Sequence, residues 1–79
     1  MKERNKMYEL DKMCPGERFY FIRDKKKLVW QLSDTLPFEI KNQAGYKIKY
    51  ANCRQGSEST YTNRQFKTSN CWVIYLRNQ

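Results

Sequence analysis

The sequence predicts a small all-β domain, and three stretches carry that prediction. Residues 18–32, RFYFIRDKKKLVWQL, hold two short aromatic and β-branched runs separated by Asp24, Lys25, Lys26 and Lys27. This is the form of a hairpin whose charged connection stays in water. In residues 46–51, Tyr46, Ile48 and Tyr50 alternate with Lys47, Lys49 and Ala51, the two-residue period of a strand with one apolar and one basic face. Residues 71–76, CWVIYL, form a nearly continuous apolar run that suits a buried closing strand.

The other elements follow in chain order. Residues 1–9 are mostly polar and are expected to be flexible, with one β-barrel domain over residues 10–79. Met7, Tyr8, Leu10 and Met13 suit a helical turn or an extended edge segment over the barrel mouth, and Pro15-Gly16 marks a turn into the first long strand. There Phe19, Phe21 and Arg23 share one face, and Tyr20 and Ile22 the other. Leu28, Trp30 and Leu32 are expected to face the core. Phe38 and Ile40 suit an end plug or a very short strand, and Asn42 to Gly45 a turn with Gly45 at positive φ. Tyr46, Ile48 and Tyr50 are expected to pack inward while Lys47 and Lys49 reach solvent, because the opposite register would bury two ammonium groups. Cys53 is carried inward if the strand bends near Ala51. A hairpin turn at residues 54–57 leads to a polar strand over 59–66, and residues 67–70 suit a turn or one short 3₁₀ segment before the last strand. That strand sets Trp72, Ile74 and Leu76 against Cys71, Val73 and Tyr75, and periodicity leaves open which side is core.

A chain of 79 residues fits one domain, and at this size only about 60% of the unfolded surface is buried, so the core is small. The net charge of +8 draws such a domain toward nucleic-acid phosphates, anionic lipid or an acidic protein. Cys14, Cys53 and Cys71 are odd in number and widely spaced, which suits a reducing cytoplasm and no complete disulfide set. Without histidine there is no zinc-like ligand set and no neutral-pH proton shuttle, and the scattered carboxylates offer no cation site or paired acid and base. Gly16, Gly45 and Gly56 lie too far apart for a phosphate-cradling loop. The expectation is a non-enzymatic protein without cofactor or metal. Residues 1–13 lack a signal peptide's apolar core, and no stretch approaches the roughly 20 apolar residues of a span, so membrane insertion is not expected.

The order of elements resembles the small SH3-like barrels of bacterial and bacteriophage accessory proteins. LDKMCPGERF stands at the leucine, the Pro-Gly turn and the strand entry of such proteins. RFYFI and LVWQL supply a first hairpin, YKIKYANCR and STYTNRQF a second, and KTSN with CWVIYL the short turn and closing strand. The insertion with Pro37, Phe38 and Ile40 departs from the tightest versions, giving five or six strands. A five-stranded oligonucleotide-binding (OB-like) barrel is the nearest alternative. The resemblance implies architecture more than activity, since such barrels bind RNA, DNA, peptides or whole proteins.

Two functions are compatible with these residues. For RNA or DNA, Arg23, Lys25, Lys26, Lys27, Lys47, Lys49, Arg54, Arg64 and Lys67 are the candidate phosphate contacts, and Tyr20, Tyr50 and Tyr61 the candidate stacking groups. Lysine runs in exposed turns and tyrosines at a core rim are common without any ligand. The alternative is a bacteriophage-type module acting in the host cytoplasm on an acidic host protein, anchored by Trp30, Trp72 or Phe38. Core packing is the ordinary role of such a tryptophan.

Overall fold

A computed structural model of the chain describes residues 1–56 and 60–78. Its strands are β1 (Met7–Glu9), β2 (Glu17–Phe21), β3 (Trp30–Leu32), β4 (Phe38–Lys41), β5 (Lys47–Gln55), β6 (Thr62–Lys67) and β7 (Trp72–Asn78), with a 3₁₀ turn at Leu10–Lys12. All are antiparallel in one sheet of order β1-β7-β2-β3-β5-β4, with β6 also on β5. The sheet curls into an open half-barrel. Seven strands form among the described residues, more than the five or six expected, because β1 and the short β4 both join the sheet.

Curling lets the sheet enclose its own inner face. Phe19, Trp30, Leu32, Ala51, Cys53 and Val73 meet there, and Leu10 and Met13 complete the same buried cluster. Phe66 of β6 closes toward β2 and β3, with its ring 4.7 Å from Phe21 and 5.0 Å from Trp30. Trp30 is therefore a core residue, 7% exposed, which corrects its candidacy as an interface anchor. Segment 1–9 has definite partners: Lys2 Nζ lies 2.9 Å from a buried Glu17 carboxylate, Asn5 N donates to Tyr75 O, and β1 pairs with β7.

The β2–β3 hairpin forms as expected, with Phe19 opposite Trp30, but its connection is longer. Ile22, Leu28 and Val29 lie outside the strands and are exposed. Leu28 thus leaves the core face expected for it. Asp24 organises the connection, its carboxylate accepting from the backbone N–H groups of Lys26 and Leu28, both at 3.0 Å.

The expected inward face of β5 is also corrected. Ala51 and Cys53 reach the core, and they share alternation parity with Lys47 and Lys49, not with Ile48 and Tyr50. Tyr46 is 72% exposed. The physical reason is length. The first half of β5 pairs with β4 on one edge and only its second half with β3, so the inward-parity lysines overhang the rim instead of entering the core. Lys49 keeps a side-chain exposure of 41% and meets Asp11 at 3.9 Å. The turn at Asn42 forms as expected, with Gly45 at φ 88°. Of the turn and strand expected over 54–66, residues 57–59 lie outside the described residues, and β6 begins at Thr62. On β7 the core side is Cys71, Val73 and Tyr75, which leaves Trp72 42% exposed.

Candidate nucleic-acid interface

Alternation that sends Phe19, Trp30 and Cys53 inward sends their neighbours Arg18, Gln31 and Arg54 outward. Register then aligns them. Arg77 of β7 stands opposite Arg18 of β2, past a register shift between Arg18 and Phe19 that breaks the alternation of β7 after Tyr75 and returns Arg77 to the outer side. Arg18 stands opposite Gln31 of β3, Gln31 opposite Arg54 of β5, and Arg54 opposite Asn63 of β6. One transverse row on the outer face thus carries three guanidinium groups. Like charges directly opposite on a sheet repel, and among the described residues no carboxylate pairs with Arg18, Arg54 or Arg77.

Gln31 is 7% exposed. Its Nε2 donates to Gly16 O at 3.0 Å and its Oε1 accepts from Arg54 Nε at 3.1 Å. Since the carbonyl only accepts and the guanidinium only donates, these two partners define which way the amide points. Arg54 is further held by Tyr61, whose ring centre lies 4.9 Å from the guanidinium carbon. Gly56 stands at φ 111° where the chain leaves β5. A Cβ there would meet Thr60 O at 2.7 Å, so only glycine allows the close return that brings Tyr61 back to Arg54. Arg18, Val29, Gln31, Arg54 and Tyr61 help line a concavity of about 240 Å³, and the Arg18 Nε is buried without a hydrogen-bond partner among the described residues.

A second cation-aromatic pair lies two residues along β2, where Lys27 Nζ sits 5.8 Å from the centre of the Tyr20 ring. Tyr20 shares the outer face with Arg18 by alternation.

The expected phosphate contacts are divided among several places. Arg23, Lys25, Lys26 and Lys27 are all exposed in the β2–β3 connection. Arg54 joins the outer row. Arg64 stands opposite Cys53 and so takes the inner parity, at the sheet's end, with its guanidinium 5.5 Å from the Phe66 ring centre. Lys47 and Lys49 share that inner parity at the rim of β5. Lys67 stands opposite Tyr50, and Tyr50 opposite Phe38, on the outer side of the β4–β5 arm, with both aromatics half-buried. Tyr61 and Tyr20 therefore lie beside the arginine row, whereas Tyr50 belongs to the arm. Sequence reading passed over Arg18, Gln31 and Arg77. Alternation with Phe19 was a signal that Arg18 points outward, but its meeting with Gln31, Arg54 and Arg77 depends on register.

Cys14, Cys53 and Cys71 are unbridged. Among the described residues no cluster of potential ligands suits a metal ion, and no helix is long and apolar enough to cross a membrane. Comparison with protein-family models, curated proteins and solved structures finds no match.

Proposed function

We propose that this half-barrel is of the SH3-like kind and binds single-stranded RNA or DNA without catalysis, through the outer face of β2, β3 and β5. One observation carries the reading: the cross-strand row Arg77, Arg18, Gln31, Arg54, with Tyr61 against the last arginine. A polyanion relieves the repulsion within that row, and the tyrosines supply faces on which bases stack. Three unbridged thiols suit a reducing compartment such as the cytoplasm.

The test is a set of binding isotherms for unrelated labelled oligonucleotides at several salt concentrations. Changing Arg18 and Arg54 together to glutamine removes two phosphate contacts, so the logarithmic salt slope becomes shallower by about 1.4 for single strands. The loss is similar across sequences, because phosphate contacts carry no base information. Absence of wild-type binding at low salt overturns the reading.

A second reading, docking to an acidic host protein, is favoured by one feature. Ile22 and Trp72, 48% and 42% exposed, are joined by Ile22 N donating to Trp72 O, and they line a concavity of about 200 Å³ beside Arg23. Retention of one acidic protein that is lost on Trp72→Ser, with oligonucleotide binding absent, supports this reading over the first.

A further inference from the structure

The outer row contains a site more specific than a positive surface. Gln31 occupies the single strand between Arg18 and Arg54, so the two arginines start about 10 Å apart, twice the interstrand spacing, and their long side chains can converge above the glutamine. Arg54 has little freedom left. Its Nε is committed to Gln31 and its guanidinium lies against Tyr61, which leaves the terminal amines as the edge open to a ligand. A fork held in this way loses little entropy on binding, and its planar geometry matches two oxygens of one phosphate. Among the described residues no carboxylate lines the concavity.

Charge then selects the kind of phosphate. An internal phosphodiester carries one negative charge, whereas a phosphate monoester carries about −1.5 to −2 near neutral pH and a third strong acceptor oxygen. Two guanidinium groups balance the second. Tyr61, 38% exposed, keeps ring surface available for the adjoining base.

We propose that the concavity between Arg18 and Arg54 binds a phosphate monoester, met at the phosphorylated end of a nucleic-acid strand, and that Gln31 is the positioning residue that aims Arg54 at it. The site rests on the single-strand reading above and adds to it a preference for strand ends.

The experiment compares one short oligonucleotide in three forms, with a 5′-phosphate, with a 3′-phosphate and with hydroxyls at both ends, against the full chain. A phosphorylated end binds about tenfold tighter than the hydroxyl form, the effect of one well-made charge-assisted hydrogen bond. A gain at one end assigns the polarity of the strand, and a gain at both assigns the site to the phosphate alone. Arg54→Lys keeps the charge but not the fork, so it abolishes the gain, read as the ratio of the phosphorylated to the hydroxyl form within the same variant. Gln31→Leu abolishes the gain in the same way, a ratio that a general loosening of the domain does not change selectively. Circular dichroism checks that each variant is folded, and Arg54→Lys carries the test if Gln31→Leu does not fold. Equal binding of all three forms by the wild type overturns the site and leaves the single-strand reading standing, as does a gain that survives Arg54→Lys. Failure of every form to bind at low salt overturns both.

Discussion

The two faces of β2, β3 and β5 are built from neighbouring residues and follow different physics. Inward, Phe19, Trp30 and Cys53 are held by burial, which is nondirectional and grows with the apolar area removed from water. Outward, Arg18, Gln31 and Arg54 are held by two hydrogen bonds, one ring contact and the strand register. The difference teaches that the inner face carries stability and tolerates reshaping by volume, whereas the outer face carries geometry and tolerates little change in chemical type.

The sharpest way to break the comparison is to change adjacent residues on opposite faces. Phe19 is fully buried, and Phe19→Ala is expected to destabilise the domain by about 3–5 kcal/mol through lost burial and the cavity left behind. Arg18→Gln, one position away, is expected to cost less than about 1 kcal/mol while weakening oligonucleotide binding. Urea unfolding of the two variants provides the measurement, and comparable destabilisation would show that the outer row is structural.

A smaller effect tests the inner face by pH. Burial, helped by the nearby Cys71, pushes the Cys53 thiol up from 9.0 to about 12. The folded protein then holds its proton where the unfolded chain has already lost it. The stability contributed by the neutral thiol is complete below pH 9 and is lost as pH rises toward 12. Unfolding curves across that window should fall less steeply for Cys53→Ala than for the wild type, and parallel curves would show that another group governs the alkaline loss.

The smallest effect on the fold is expected at the tip of the β2–β3 connection. Lys25, Lys26 and Lys27 are exposed, and changing all three to glutamine should alter stability by less than about 0.5 kcal/mol each. Asp24 supplies the hydrogen bonds that shape the connection and is retained. If the tip follows the strand beyond Tyr20, the salt slope becomes shallower by up to about 2 for single strands. An unchanged slope in a folded variant confines the interface to the arginine row.

Where a local pattern sufficed, the fold was legible. The hairpin of β2 and β3, the shared face of Phe19 and Phe21, and the turn closed by Gly45 follow from residue type and a two-residue period. Leu28 was not legible in this way, because apolar spacing cannot tell the end of a connection from the start of a strand. The candidate site was less legible still. Arg54 and Tyr61 stood out by type, yet Arg18 and Gln31 matter only through what lies across the sheet from them.

The sequence by itself determined that the chain is all-β and which residues share a strand face, since alternation is a local property of extended backbone. Tertiary structure decided which of the two faces meets the core. Ile48 and Tyr50 do share a face, while Tyr46 falls in the turn before β5, and the core lies under the other face, at Ala51 and Cys53, because the curl of the sheet and the staggered pairing of β3 and β4 along β5 decide where apolar surface can be enclosed. The same holds for the arginine row. Its members lie far apart in the chain, and only the register of four antiparallel strands, β7, β2, β3 and β5, brings their charges side by side.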